Sequence, residues 1–327
     1  MAKKTFLNDK QFVHKKLGVF PTMVTPYKKD GNVDYQGVKN LVEWYWEKGC
    51  DGIFAVCQSS EIFYLTLEER VNIGKTVVEK AKELANIDKS REPMKIVVSG
   101  HISDSFDDQV EELNAMADVG ADALILISNR MDIENTSDEK WIEDLHKLME
   151  KLPKDIPLGV YECPKPYKRL LTKKMLQACK DTGRFAFIKD TCCDAAVIKE
   201  RVEILKDSNI GLYNANAQTL LETLRAGADG YCGVMANFHP EIYKWMFDNQ
   251  DTKEADIVQS FICVSAFTES LAYPATAKYY LKAHENIDIE PISRVVDCTL
   301  ITEYQKSCLA QMKTLGDFIK KEIGIGE

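Results

Sequence analysis

Gly49-Cys50-Asp51-Gly52, Gly120-Ala121-Asp122-Ala123 and Gly227-Ala228-Asp229-Gly230 repeat one piece of turn chemistry three times along the chain. Each closes a stretch with helical spacing and leads straight into a short apolar run. Glycine suits the left-handed position that stops a helix, so the repeat predicts equivalent helix-to-strand joints. Outward from these joints, apolar, β-branched and aromatic runs predict strands at Val19–Val24, Gly52–Val56, Ile96–Gly100, Ala123–Ile127, Leu158–Tyr161, Phe185–Lys189, Gly211–Asn214 and Gly230–Val234. Most are nearly all apolar rather than alternating, as a parallel sheet covered on both faces requires. Between them lie helical spacings such as Val38, Leu41, Val42, Tyr45 and Val71, Ile73, Val77, Val78. Thr66 with Glu69 reads as a capping box, and Ser137 and Thr172 read as N-caps. Eight strand-helix units predict a (β/α)8 TIM barrel. An open doubly wound sheet also alternates, but no G-x-G-x-x-G follows the first strand.

The reading divides the chain into an N-terminal segment (1–16), a catalytic barrel (17–240) and a C-terminal helical extension (241–327). Pro274 and Pro291 interrupt the extension, which reads as an oligomer contact rather than a second catalytic domain. A chain of 327 residues, 45% apolar and 28% charged, buries a core without needing disulfides or metal. Its 42 Lys and Arg against 51 Asp and Glu give a formal charge of −9, which sets aside nucleic acid and anionic membranes as partners. The ten cysteines include no C-x-x-C pair, and the five histidines never fall at metal-ligand spacing. MAKKTFLNDK lacks the apolar core of a secretory signal, and no apolar run is long enough to span a bilayer. The expected setting is a reducing cytoplasm with free thiols.

In such a barrel, reactive side chains project from the C-terminal ends of the strands. Phe185-Ala186-Phe187-Ile188-Lys189 ends in a lysine whose amine should lie among dry neighbours at the mouth. Desolvation disfavours an ammonium, and the free amine is the nucleophile a Schiff base requires; the plain alternative is a lysine snorkelling to solvent. Leu158-Gly159-Val160-Tyr161 places a phenol on the neighbouring strand, able to pass protons to and from a carbinolamine. A core tyrosine bonded to backbone is its alternative. In Val56-Cys57-Gln58-Ser59-Ser60-Glu61, two hydroxyls and a run of amides suit a carboxylate, unless Ser59 merely caps a turn and Glu61 is a structural carboxylate bonded to its loop. His101 reads as a satisfied rim histidine, and Cys192 and Cys193 as small packing residues. Lys165, Tyr167, Lys168 and Arg169 are candidates for the distal end of an acidic substrate, or a solvated loop.

Together these residues resemble the dihydrodipicolinate synthase/N-acetylneuraminate lyase family of pyruvate-dependent class I aldolases. The likeness runs from Gly18-Val19-Phe20-Pro21-Thr22-Met23-Val24-Thr25-Pro26 to Tyr273-Pro274-Ala275-Thr276-Ala277-Lys278. The lysine strand corresponds to Phe187-Ile188-Lys189-Asp190-Thr191, the Tyr-x-x-Pro motif to Tyr161-Glu162-Cys163-Pro164, and the Gly-x-x-Gly-Glu carboxylate loop to Cys57-Gln58-Ser59-Ser60-Glu61. The resemblance implies a Schiff base on Lys189, proton transfer by Tyr161, and a substrate carboxylate held by Gln58, Ser59, Ser60 and loop amides. It further implies a backbone carbonyl at Cys232 near the Schiff base, no metal or organic cofactor, and a homotetramer.

Departures narrow the substrate. Cys57 and Ser60 replace both loop glycines. The synthase branch's relay tyrosine falls near Met131, and its arginine after Tyr-x-x-Pro falls near Pro166 or Tyr167. Leu212-Tyr213-Asn214 looks more like the lyase branch, yet Ala217 and Gln218 stand where that branch has an acidic pair. The expected activity is cleavage or condensation of a 2-oxo acid with pyruvate as keto component. The alternatives are a 4-hydroxy-tetrahydrodipicolinate synthase-type condensation with an aminoaldehyde and a non-catalytic 2-oxo-acid-binding barrel; scattered histidines argue against a metal-dependent aldolase.

Overall fold

The computed structural model describes residues 18–326; the N-terminal segment read as 1–16 lies outside the described residues. Eight parallel strands alternate with helices: β1 (Gly18–Val19), α1 (Tyr35–Glu47), β2 (Gly52–Ala55), α2 (Leu67–Ile87), β3 (Lys95–Val98), α3 (Phe106–Ala117), β4 (Ala123–Ile127), α4 (Asp138–Glu150), β5 (Leu158–Tyr161), α5 (Lys173–Thr182), β6 (Phe185–Asp190), α6 (Ala195–Leu205), β7 (Gly211–Asn214), α7 (Leu220–Arg225), β8 (Gly230–Tyr231) and α8 (Pro240–Asp248). The strands are ordered β1-β8-β7-β6-β5-β4-β3-β2. The seam between β1 and β2 is closed by Asp51 N–H to Val19 O (3.1 Å), Phe54 N–H to Pro21 O (3.0 Å) and Met23 N–H to Phe54 O (3.0 Å). The architecture is a TIM barrel.

The repeated turn does two jobs. Gly49, Gly120 and Gly227 have φ of 79°, 80° and 104°, the left-handed region that ends a helix. The aspartate two residues on then reaches the amide of the second residue of the preceding strand. Asp51 Oδ2 accepts from Val19 (2.9 Å), Asp122 Oδ2 from Ile96 (2.8 Å) and Asp229 Oδ2 from Leu212 (2.9 Å). The capping box of Thr66 and Glu69 forms, and Ser137 and Thr172 cap α4 and α5.

Strands β1 and β8 stop well short of their apolar runs, and β2 and β3 end one and two residues early. Phe20 N–H still bonds to Tyr231 O, but Pro21 has no N–H to give and the chain swings across to β2. After β8, Gly233 leads into a 3-10 turn at Val234–Asn237. Gly230 marks the tightest approach: a Cβ there would stand 1.9 Å from Gly18 O.

Aromatic rings fill the barrel beneath its mouth. Phe187 stacks on Tyr213 with centroids 4.2 Å apart, Phe20 packs on both, and Phe54 meets Tyr161 edge-on at 5.5 Å. Helix α8 packs against β1, completing the outer ring. Beyond it lie α9 (Glu254–Ser265), α10 (Ala275–His284) and α11 (Glu303–Glu322). No helix among the described residues is long and apolar enough to cross a membrane.

Candidate active site

Strand pairing sets Tyr161 of β5 opposite Lys189 of β6, and Lys189 opposite Tyr213 of β7. Tyr161 and Lys189 are 3% and 4% exposed, so both are held at the rim yet shielded. Lys189 Nζ stands 4.2 Å from the centre of the Tyr161 ring and 5.5 Å from that of Phe54. Burial pushes the Tyr161 phenol well above its ordinary pKa, so a phenolate there needs a neighbouring positive charge.

The residues that follow these two point the other way, as strand alternation demands. Glu162 and Asp190 both meet Arg201 of α6, whose guanidinium lies 2.8 Å from Glu162 Oε1 and also pairs with Asp190. Glu162 takes further bonds from Leu171 N–H (2.6 Å) and Thr191 N–H (2.8 Å). All three charged groups are buried. This clamp fixes β5 against β6 from outside the barrel, and with it the spacing of Tyr161 and Lys189 inside.

The loop after β2 forms a 3-10 turn at Gln58–Ser60. Gln58 and Ser59 line the mouth, and their backbone N–H groups have no acceptor among the described residues, as at any helix start. The Ser59 hydroxyl donates to Thr22 Oγ1 at 3.0 Å. Ser60 corrects the sequence reading. Its hydroxyl donates to Met23 O (2.6 Å) and accepts from Cys57 N–H (3.0 Å), so it is spent on the loop rather than turned to the cavity. A hydroxyl buried at this position has to find its partners within the fold.

Glu61, at φ 63°, is a structural carboxylate, although its partners are not in its own loop. It takes the Lys278 ammonium (2.5 Å), the Ser293 hydroxyl (3.0 Å) and the N–H groups of Arg294 (2.6 Å) and Val295 (3.2 Å). The C-terminal segment is thereby drawn over the mouth. It is part of the site, which the reading as an oligomer contact did not anticipate.

The mouth encloses a cavity of about 350 Å³ whose lining includes Lys189, Tyr161, Gln58, Ser59, Lys165, Lys168, Asn216, Glu269 and Tyr273. Cys232 is fully buried at the end of β8; burial raises its thiol to about 12, with the Lys189 ammonium pulling the other way. Of the basic cluster after β5, only Lys165 and Lys168 face the cavity. Arg169 pairs with Asp132 at 3.0 Å, and the Tyr167 hydroxyl donates to Ile133 O, so both are structural. Cys193, expected to pack, instead lines the cavity and is exposed. His101 is a satisfied rim histidine: Nε2 accepts from Ile127 N–H at 2.5 Å.

Arg201, Tyr273 and Glu269 were not found from sequence. Arg201 left one signal, since it falls on the buried face of α6 with Ile198 and Leu205. Tyr273 lies near Ser59 and Thr22 and accepts from Asn237 Nδ2 at 3.3 Å. Glu269 sits in the 3-10 turn after α9; desolvation lifts its carboxyl to about 7, opposed by Lys189. Among the described residues no group of three or more His, Cys, Asp or Glu side chains is placed to hold a metal ion.

A barrel with a buried lysine beside a tyrosine at its mouth has the layout of a Schiff-base aldolase. Residues 15–264 match the model of the dihydrodipicolinate synthetase family, and the chain belongs to that family, whose members are pyruvate-dependent class I aldolases. Over 223 residues it is 27% identical to the 4-hydroxy-tetrahydrodipicolinate synthase of Methanothrix thermoacetophila, covering 68% of this chain and 70% of that one. The sialic acid aldolase of Ruminococcus gnavus superimposes with a TM-score of 0.79 at 16% identity, covering 94% of this chain and 98% of its own. A prophage protein of the dihydrodipicolinic acid synthase family from E. coli K12, solved with pyruvate, gives 0.75 at 19% identity over 93% and 98% of the two chains.

Proposed function

We propose that the chain cleaves, or in reverse condenses, a 2-oxo acid with pyruvate as the keto component, through a Schiff base on Lys189. The Lys189 amine adds to the C2 ketone. Tyr161 gives its proton to the carbinolamine hydroxyl, water leaves, and an iminium stands beside the new phenolate. The phenolate then takes the proton of the C4 hydroxyl as the C3–C4 bond breaks. The bond's electrons pass to the iminium, leaving an enamine and a free aldehyde. Tyr161 returns its proton to C3, and water releases pyruvate. The lysine is the electron sink, so the scheme needs no metal or organic cofactor.

The amides of Gln58 and Ser59 hold the 1-carboxylate, joined by the Ser59 hydroxyl once it turns its proton from Thr22 Oγ1 to the ligand, and the Cys232 carbonyl borders the iminium. The observation that carries this reading is the Lys189 nitrogen 4.2 Å from the Tyr161 ring, both buried at the mouth. The ten cysteines, all free, support a reducing cytoplasm. We take 17–240 as the catalytic barrel, with the helices beyond supplying a cover to the mouth and the contacts of a tetramer.

The synthase reaction is the second reading, favoured by the name of the Methanothrix relative. It shares the Schiff base on Lys189 and the enamine, which there forms from the pyruvate iminium by loss of a C3 proton. The test common to both is incubation with pyruvate and borohydride followed by mass mapping. Label on Lys189 is expected; no label with pyruvate and several other 2-oxo acids would leave a non-catalytic barrel.

A further inference from the structure

The Gln58 side chain leaves the turn after β2 in a direction of its own. Ser59 bonds to Thr22, in the segment after β1, whereas the Gln58 carboxamide crosses the mouth to the loop after β5. There the Cys163 thiol donates to Gln58 Oε1 at 3.3 Å. Phe54 of β2 and Tyr161 of β5 already meet across the barrel. Gln58 follows the first and Cys163 the second, so their contact is the next step toward the mouth, beside Tyr161. The loop side of it is held, since buried Asn129 donates from Nδ2 to the carbonyls of Cys163 (3.0 Å) and Lys165 (2.9 Å). An amide nitrogen cannot accept an S–H, so the thiol proton selects the oxygen. That leaves Nε2, with two N–H groups and no acceptor among the described residues, as the polar group this side chain offers to the cavity it lines.

Resting on the Schiff-base reading, we propose that the Gln58 carboxamide is a catalytic residue of the carbon–carbon bond step, donating an Nε2–H to the C4 oxygen of the substrate. The substrate runs from its carboxylate on the turn amides, through C2 on Lys189, to C4 at Tyr161, and that last end is the one the carboxamide reaches. Before cleavage the C4 hydroxyl gives its proton to the Tyr161 phenolate and accepts from Gln58. In condensation C3 of the enamine attacks the aldehyde carbon and the carbonyl π electrons move onto oxygen. That oxygen takes the Tyr161 proton while the Gln58 N–H holds it. No proton leaves Gln58. A fixed donor at an oxygen that gains charge, in a site shielded from water, stabilises the transition state more than the ground state.

Borohydride trapping of two acids, 2-oxobutanoate and 4-hydroxy-2-oxobutanoate, isolates the C4 oxygen. Both carry the same carboxylate and ketone, so contacts to those groups cancel in the ratio of their half-maximal trapping concentrations. Mass mapping separates the intact hydroxy adduct on Lys189 from any pyruvate formed by cleavage. The parent protein should favour the hydroxy acid, and Gln58→Met, close in shape but without the donor, should cut that preference by about threefold to tenfold. Gln58→Glu, which offers the C4 oxygen only a carboxylate, should also lower it and decides the matter if Gln58→Met does not fold. Pyruvate has no C4 oxygen and supplies the second readout. Its enamine forms by loss of a C3 proton, so its methyl hydrogens exchange in D2O at a rate that proton NMR follows. A preference unmoved in either variant, or pyruvate exchange as slow in Gln58→Met as in Tyr161→Phe, overturns the proposal. Absence of trapping in the parent protein overturns the Schiff-base reading instead, so the two failures are distinct.

Discussion

Lys278 Nζ lies 2.5 Å from Glu61 Oε1, and neither side chain reaches solvent. The pair joins the loop that carries Gln58 and Ser59 to α10 and the segment at 293–295. Burial brings the Lys278 amine down to about 8, while Glu61 draws it up. Removing one partner strands the other as a buried charge. Lys278→Met should therefore cost about 3–5 kcal/mol of stability, measured by urea denaturation, and the double variant with Glu61→Gln should recover part of it. Because the same loop offers its amides to the carboxylate, Lys278→Met should also raise the pyruvate concentration needed for half-maximal borohydride trapping.

Lys189 and Tyr161 separate cleanly by experiment because they act at different steps. Lys189→Ala should abolish labelling altogether. Tyr161→Phe keeps the ring beneath the amine but loses the proton carrier, so pyruvate exchange should slow by about 10²–10⁴-fold while slow trapping persists. Full exchange activity in Tyr161→Phe would refute its assigned role.

These two residues were legible because each ends an apolar run, and a barrel turns such ends to its mouth. Strands β4, β5 and β7 match their expected bounds for the same reason: an apolar run bounded by turn residues leaves little choice. In β1 and β8 the composition stays apolar beyond the strand, and the limit comes at Pro21, which has no N–H to pair, and at Gly233, where the chain turns into a 3-10 helix; both stand in the sequence, inside runs read for hydropathy alone. The carboxylate loop shows the same divide. Ser59 and Ser60 are adjacent hydroxyls, and only the packed turn decides that Ser59 faces the cavity while Ser60 bonds to Met23 O. Glu269 and Tyr273 lie far along the chain, and the Glu61 bonds to Lys278 and residues 293–295 tie the C-terminal segment over the mouth.

His101 adds a pH dependence below neutrality. Its Nε2 accepts from Ile127 N–H, which leaves the ring proton on Nδ1, 3.3 Å from Gln109 Oε1. Burial pushes its pKa down to about 4. The unfolded chain binds a proton near 6.5 and the folded one does not, so stability is present above 6.5 and is lost as pH falls toward 4. The loss from this group should approach about 3 kcal/mol. His239, held near 3 by burial, adds to the same trend. Urea midpoints at pH 7, 5.5 and 4 should decline steeply in the parent protein and less steeply in His101→Asn.

Glu269 works in the opposite sense at higher pH. Its folded pKa, about 7, lies above that of an unfolded glutamate because desolvation favours the neutral acid more strongly than Lys189 favours the carboxylate. Stability from this group is therefore complete at low pH and disappears as pH rises through about 7. Glu269→Gln cannot ionise and should remove that component of the decline in denaturation midpoint between pH 5 and 8. The same titration alters the mouth, which above neutrality gains a negative charge in the cavity that Lys165 and Lys168 also line. For condensation with pyruvate, an anionic aldehyde such as succinic semialdehyde should show a KM that rises from pH 6 to 8 in the parent protein and stays level in Glu269→Gln. A neutral aldehyde such as glyceraldehyde should show no such difference between the two proteins. An equal rise for both aldehydes would place the titration on the common Schiff-base steps and remove Glu269 from partner selection.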